Sequence, residues 1–463
     1  MQDFLRRLKA AVTGSPGTPL VLLGNFEVEE RWAGDVPGLP KMGFSTSSAL
    51  VNRMEEFTLL LGGPDDHVLL KEAPDPAYLD HLAELGIGLP RILCAARHDP
   101  QRTVTQDVLD DPALVAELTG LAARGAWLLT HGTSDLEEEL ARRTGLPLVG
   151  PDAATCRAVN SKIYSRRVAA DTGLRQAEGW VAETVGEFEA VAAQAKGLLA
   201  SGRTVVAKDA FGVSGKGILV VRDEQRLDRL AGMVRRRAFK HEEDRVALLL
   251  EEWVAKKADL NYQFTIARSG EVRFDFVKEA LTEDGVHKGH RIPARLDETQ
   301  VAELRKAAQV LGERLGADGF HGVVGVDAMV DPDGGIYPVV EINARSNMST
   351  YQLRLQELFL GPGQVALARQ YPLRLGRPLP YADLRRLLDG LLFVKGEGPS
   401  QGGGEGLIVN NFATVNAAGP AEGAHPVEGR LYGLLIAGDR HRLDDLDRRI
   451  AGRLAEESER STS

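Results

Sequence analysis

Pro338-Val-Val-Glu-Ile-Asn-Ala-Arg-Ser-Asn347 follows an Asp331-Pro-Asp-Gly-Gly335 turn, which itself follows a run containing Gly325-Val-Asp327. Val323 to Val330 and Ile336 to Ile342 are short apolar runs on either side of a Pro/Asp/Gly cluster, the pattern of two antiparallel strands joined by a tight loop. A loop symmetric about Gly334 puts Asp327 opposite Glu341, with Cβ atoms about 5 Å apart on one face. Two ionised carboxylates so placed repel, and a divalent cation between them relieves the repulsion in a hard, oxygen-lined site. Asn343 shares the face of Glu341 at the period of two, and Arg345 follows at the same interval. The competing reading is a solvated acidic hairpin in which Arg345 pairs with a carboxylate; the spacing favours the metal site.

Upstream, Arg203-Thr-Val-Val-Ala-Lys208 reads as a strand ending in lysine, and Gly217 to Arg222 as a returning strand. Between them, glycines at 212, 215 and 217 let backbone N–H groups approach an anion closely, and Ser214 adds a hydroxyl donor. This suits a flap over a triphosphate. The GxxxxGK[ST] spacing of a P-loop is absent, and the segment joins two strands where a P-loop would open a helix. A lysine at the inner end of an apolar strand needs a partner, and a phosphate supplies one. Asn160-Ser-Lys162 opens a helical segment with a second lysine, and Val246 to Val254 reads as a buried strand ending in Glu251-Glu252-Trp253-Val254. Its backbone can bond adenine while Glu251 accepts from the exocyclic amine.

Lys162, Lys208 with its glycine flap, Glu251 to Val254, Asp327 and Glu341-Ile-Asn-Ala-Arg345 occur in an order that resembles the ATP-grasp superfamily over roughly residues 155 to 365. The resemblance implies two α+β subdomains closing on ATP. Lys162, Lys208, Gly212, Ser214, Gly215 and Gly217 would face phosphates, and Glu251, Glu252, Trp253 and Val254 would face adenine. Asp327, Glu341 and Asn343 would bind Mg2+, with Mn2+ as a substitute, and Arg345 would support the reacting phosphate. Where many members carry a ribose-binding glutamate this chain reads Ala258-Asp-Leu-Asn-Tyr-Gln263, so the ribose contact falls to Asp259 or Asn261. Further on, Thr282 to Arg291 reads as a polar loop with Lys288, His290 and Arg291. That loop is either solvated or a holder of substrate carboxylate or acyl phosphate, and Lys278 at a strand end is the better candidate for such a catalytic role.

The formal net charge of −10 opposes nonspecific binding to nucleic acid or to an anionic membrane. Two cysteines, Cys94 and Cys156, give neither a metal spacing nor a disulfide framework, so a reducing, cytoplasmic setting is expected. No run approaches membrane-spanning length, and Phe4 to Val12 reads as an amphipathic helix. At 463 residues the chain should hold two or three domains. To about residue 150, strand-like runs at Leu20 to Leu23, Val68 to Leu70, Arg91 to Leu93 and Trp127 to Thr130 alternate with helical ones, the rhythm of a parallel α/β sheet. No G-x-G-x-x-G follows the first strand, which discounts a dinucleotide-binding oxidoreductase.

The expected architecture is therefore an α/β domain over 1–154, a two-subdomain ATP-grasp fold over 155–365 (flap 155–245, metal-binding 246–365), and a small C-terminal α+β domain over 366–463. In that last part Leu391 to Lys395, Leu407 to Thr414 and Arg430 to Ile436 read as strands, Gly396 to Gly406 as a hairpin loop or a lid, and Glu456 to Ser463 as a disordered tail. The resemblance implies an ADP-forming carboxylate–amine ligase acting through an acyl phosphate. More narrowly, the chain, including Asn25-Phe-Glu-Val-Glu-Glu30, is similar to the peptide ligases of pheganomycin-type antibiotic biosynthesis, which join an amino acid to the amino terminus of a peptide. The partners implied are an amino acid donor and a peptide acceptor, with a homodimer as one expected assembly. A carboxylase, a kinase of the same fold and a nucleotide-binding module without turnover remain as alternatives.

Overall fold

The computed structural model describes residues 4–34, 38–39, 48–212, 217–283, 286–395, 404–417 and 426–462. Three sheets organise them. The first holds β1 (Leu20–Leu23), β2 (His67–Leu70), β3 (Arg91–Cys94) and β4 (Trp127–Thr130), in the order β3-β2-β1-β4 and all parallel. Each strand is only four residues long and almost wholly apolar, as a sheet covered on both faces requires. The helices Val104–Leu109, Pro112–Ala123 and Asp135–Thr144 cover one face through Leu118, Leu121 and Leu140. The opposite face packs the amphipathic helix Phe4–Thr13 through Phe4, Leu5, Leu8 and Val12.

The second sheet, order β5-β8-β6-β7, is antiparallel and holds β5 (Gly179–Thr184), β6 (Val205–Asp209), β7 (Ile218–Val221) and β8 (Arg245–Glu252). Helix Val185–Ala200 starts at a capping box between Thr184 and Glu187 and buries Phe188, Val191, Ala195 and Leu198 against this sheet. Because β8 pairs with both β5 and β6, the segment ending in Glu251-Glu252 belongs to the flap sheet, not to the metal-binding subdomain expected from residue 246 onward.

The third sheet has eight antiparallel strands in the order β13-β12-β9-β10-β11-β14-β16-β15: β9 (Ala258–Ile266), β10 (Val272–Glu283), β11 (Val286–Ile292), β12 (Gly322–Val330), β13 (Ile336–Asn343), β14 (Val365–Leu375), β15 (Gly406–Asn411) and β16 (Val427–Ala437). Helix Glu298–Ala317 packs Leu304, Ala308, Leu311 and Leu315 on its back. The C-terminal part, expected as a separate small domain, adds β14, β16 and β15 to this same sheet, so strand pairing runs unbroken from the metal hairpin into it.

Three local expectations change. Within the stretch expected as a polar loop, Thr282, Glu283 and Val286 to Arg291 belong to the paired strands β10 and β11, and Asp284 and Gly285 lie outside the described residues. One face of these strands lines a ligand cleft, so it stays polar and hides the alternation that marks a strand. Gly289 is required there, since a Cβ would lie 1.9 Å from the carbonyl oxygen of Ala368 on β14. The terminal residues expected to be disordered belong to the helix Arg440–Thr462, because Ile450 and Leu454 pack into the core and the hydroxyls of Ser458 and Ser461 accept from the backbone of Arg374 and Gly376. Leu391 to Lys395 makes isolated bridges to Leu407 and Glu405 and no full strand, and most of Gly396 to Gly406 lies outside the described residues.

Candidate active site

A cleft of about 350 Å³ opens between the flap sheet and the eight-stranded sheet. Its floor follows from strand register. Glu341 on β13, Asp327 on β12, Asn261 on β9 and Lys278 on β10 are successive cross-strand partners, so one row of polar side chains crosses four strands on one face. The expected pairing of Asp327 with Glu341 holds, but by another route. Val330 pairs with Ile336 and Met329 with Tyr337, and a bulge between Asp327 and Met329 then restores the match.

Around Asp327 the donors are amides. Asn261 Nδ2 donates to Asp327 Oδ1 at 2.9 Å and Asn343 Nδ2 to Oδ2 at 3.3 Å. Burial raises the Asp327 carboxyl to about 6, with the facing charge of Glu341 adding to the rise. Lys162, the first residue of helix Lys162–Asp171, donates from Nζ to Glu341 Oε1 at 2.6 Å and to the carbonyl of Gly212 at 2.5 Å. Lys162 thus ties the flap to the metal hairpin. Asn261 Oδ1 is buried without a partner. Two hard carboxylates, Asp327 and Glu341, and an amide oxygen with spare capacity suit a divalent cation. Among the described residues no group of three or more His, Cys, Asp or Glu forms a metal cage, so the protein alone does not saturate such an ion. Mg2+ prefers that arrangement, taking one or two carboxylates and completing its octahedron with phosphate oxygens and water.

On the opposite wall Lys208 is in direct ionic contact with Glu251, and Arg166 reaches the same carboxylate at 3.3 Å while donating to the carbonyls of Ala177 and Gly179. Glu252 pairs with Arg203 at 3.3 Å, and Trp253, 41 % exposed, and Val254 follow where the strand leaves the sheet; all three carry on the lining. Asp259 lies in the cleft, held by Lys256 and Thr282 at 2.5 Å each, whereas Asn261 is committed to Asp327. Of the two residues considered for ribose, Asp259 is therefore the one outside the metal cluster. Gly212 and Gly217 sit at the two ends of the flap, and Ser214 and Gly215 lie outside the described residues.

Arg345 lines the cleft end and is mostly buried, its side chain 12 % exposed. It donates to Asn343 Oδ1 and to the carbonyl of Ser346, both at 3.0 Å, and through Nε to Glu29 Oε1 at 2.9 Å. Burial opposes its charge, but the carboxylates of Glu29, Glu341 and Asp327 outweigh that and raise its pKa. Lys278 shares the floor row but lies beneath the turn at 347–352. Its Nζ donates to the carbonyl of Ser349 at 2.9 Å and to Gln352 Oε1 at 3.2 Å, and it does not line the cleft. With no carboxylate beside it, burial pushes its pKa well below the usual lysine range. Of the polar residues at 288–291, His290 lines the cleft with its neighbour His287, while Arg291 pairs with Asp444 at 3.0 Å.

Sequence spacing missed two residues here. Arg166 lies one helical turn after Lys162, a period that could have found it. Glu29 comes from the short helix Val28–Ala33 after β1, and no local spacing connects it with Arg345; its only signal is its place at the carboxyl edge of a parallel sheet.

Comparison with known proteins agrees with this geometry. A family described as the Pre ATP-grasp domain matches residues 54–146, and the ATP-grasp domain family matches 189–349. The chain is 28 % identical to the [Butirosin acyl-carrier protein]--L-glutamate ligase of Niallia circulans over 318 residues, 68 % of this chain and 70 % of the relative. Among solved structures, N5-carboxyaminoimidazole synthase from Aspergillus clavatus, in complex with ADP and 5-aminoimidazole ribonucleotide, superposes with a TM-score of 0.51 at 16 % identity, covering 95 % of this chain and 99 % of that one. Biotin carboxylase from Campylobacter jejuni superposes with a TM-score of 0.52 at 14 % identity, covering 92 % and 89 %. At such identities these structures speak for the fold alone. The chain thus carries a pre-ATP-grasp domain followed in chain order by an ATP-grasp domain.

Proposed function

We propose that this chain activates an amino acid carboxylate as an acyl phosphate, at the expense of ATP, and passes the acyl group to the amino group of a peptide or amino acid. It is an ATP-grasp carboxylate–amine ligase that forms ADP. The observation that carries this reading is the facing pair Asp327 and Glu341 with Arg345 and Lys162 beside it, opposite Lys208 across one cleft. A carboxylate is a poor electrophile and oxide a poor leaving group, and phosphorylation repairs both faults. Mg2+, or Mn2+ on the same hard oxygen ligands, would be held by Asp327, Glu341 and Asn343 and would supply charge neutralisation on the phosphates. Lys162 and Lys208 would exchange their carboxylate partners for phosphate oxygens. Trp253 and Val254 supply an apolar wall and a departing backbone for adenine. Arg345, mostly buried and charged, would stabilise the phosphoryl group as it transfers to the donor carboxylate.

The curated relative's name joins L-glutamate to an acyl-carrier protein, which favours a second reading with a carrier protein as the acceptor. Purified protein with ATP, Mg2+, the amino acids, short peptides and a carrier protein, followed by ADP release and mass spectrometry, separates the two. The peptide reading expects ADP, phosphate and a new amide, with 18O from the donor carboxylate recovered in inorganic phosphate. Label in AMP, or a phosphorylated product without an amide, would overturn it.

A further inference from the structure

Among the described residues six carboxylates line the cleft: Glu29, Glu251, Glu252, Asp259, Asp327 and Glu341. Five already have work. Glu251 and Glu252 are paired on the flap wall, Asp259 is held by Lys256 and Thr282, and Asp327 and Glu341 face each other at the metal position. Glu29 differs from all of these. It is delivered by the N-terminal domain, on the short helix after β1, to the end of the cleft where Arg345 sits. Both of its bonds to Arg345, from Nε and from NH2, fall on Oε1, and none of the described residues donates to Oε2. One oxygen is therefore anchored on the arginine beside the reacting phosphoryl group, and the other is left for the cleft.

A group of that kind is needed. The acceptor amine arrives protonated at neutral pH and cannot attack until it loses a proton, and a carboxylate both attracts an ammonium and can take that proton. The other bases at this end are ill suited. His290 is buried and bonded to the hydroxyl of Ser349 at 3.0 Å, and burial lowers His287 to about 4, so both are weak acceptors.

Resting on the ligase reading above, we infer that Glu29 is the acceptor subsite: its Oε2 binds the ammonium of the incoming amine and removes one proton from it. The neutral nitrogen then forms the N–C bond to the acyl phosphate. The bond from carbon to the phosphoryl oxygen breaks, and its electron pair leaves on inorganic phosphate, which takes the second N–H proton. The proton on Glu29 passes to water. Because the same carboxylate anchors Arg345 through Oε1, the amine is received next to the leaving phosphate.

The test compares two nucleophiles that differ in protonation. Hydroxylamine is largely neutral at pH 7 and needs no base, whereas glycinamide is largely protonated. Wild-type protein, Glu29→Gln and Glu29→Asp are each given ATP, Mg2+ and the twenty proteinogenic amino acids as donors, with either nucleophile, and hydroxamate and amide are measured by mass spectrometry. Glu29→Gln keeps an oxygen for Arg345, so hydroxamate formation should stay within about threefold of wild type. Amide formation should fall by about 10²-fold or more, the usual share of a general base, with partial recovery in Glu29→Asp. An amide-to-hydroxamate ratio unchanged by Glu29→Gln, whether both products persist or both fall together, overturns the inference. A wild-type protein that yields neither hydroxamate nor ADP with any donor overturns the ligase reading itself.

Discussion

Asp327 with Glu341 in the cleft, and Glu27 with Glu55 at the carboxyl edge of the N-terminal sheet, are two places where carboxylates are withdrawn from water within reach of each other's charge. In the cleft the pair is surrounded by amide donors, by Lys162 and by Arg345, and it opens on a cavity. At the sheet edge Glu27 Oε2 and Glu55 Oε2 are shut off from solvent with no hydrogen-bond partner. Burial is the first cause in both regions. It raises Glu27 to about 8, Glu55 to about 7 and Asp327 to about 6. Repulsion between buried carboxylates can be relieved by a metal or by a proton. The cleft leaves room for the first; at the N-terminal pair the unpartnered Glu27 and Glu55 oxygens and the raised carboxyls favour the second.

The largest effect expected of this contrast is on turnover. Asp327→Asn and Glu341→Gln should each lower Mg-ATP-dependent turnover by about 10³-fold or more while circular dichroism and the melting curve remain those of a folded chain, because each removes an anionic ligand. Retention of near-normal turnover by both variants would leave the cleft no different from the N-terminal pair. Glu27→Gln, by contrast, should leave turnover within a few-fold of wild type.

A smaller effect separates the two walls of the cleft. Arg345→Ala should lower the single-turnover rate by about 10²-fold with ATP affinity little changed, since the arginine acts on developing charge. Lys208→Ala should weaken ATP binding about tenfold, read by calorimetry. Equal loss of affinity in both variants would erase the distinction between phosphate grip and transition-state support.

The smallest expected effect is on stability against pH, and it sharpens the comparison most. All three carboxyls have folded pKa values above their unfolded ones, so the folded state binds more protons and its stability falls as pH rises. For Asp327 the loss runs from about 3.8 to about 6, and for Glu27 from about 4.5 to about 8. Between pH 6.5 and 8 the N-terminal pair should therefore add a falling component, opposed by buried Lys278, whose lowered pKa makes stability rise with pH. Relative to wild type, the Glu27→Gln/Glu55→Gln double variant should gain a few °C in melting temperature as pH rises over that interval, and each single variant part of that. An equal pH dependence in wild type and the double variant would mean that these carboxyls are not held protonated.

How much of this was legible in the sequence depends on whether function shares a period with structure. The facing of Asp327 and Glu341 was readable because both sit on strands, where facing and alternation follow from counting. Lys208 was readable as a charge at the end of an apolar strand, and Lys162 only by its place in the order of motifs. Glu29 was not, because it meets Arg345 across domains and no pattern in either segment encodes the meeting. Lys278 shows the opposite limit: counting places it on the correct face of the sheet, and only the turn at 347–352 removes it from the cleft. The hairpin of β10 and β11 escaped because a strand facing a ligand looks like a loop.

The eight-stranded sheet carries a consequence for anyone who would cut or recombine this protein. The matched ATP-grasp segment ends at 349, yet β14, which begins at Val365, covers the outer edge of β11, and β16 covers β14 in turn. A fragment ended at the family boundary would present the open N–H and C=O groups of β11 to any passing chain, an invitation to intermolecular pairing. The same holds for chimeras that exchange the C-terminal third between relatives, since the graft would have to match an eleven-residue ladder from Val365 to Leu375 before it contributed any chemistry. The smallest portable unit of this catalyst therefore extends at least to Ala437.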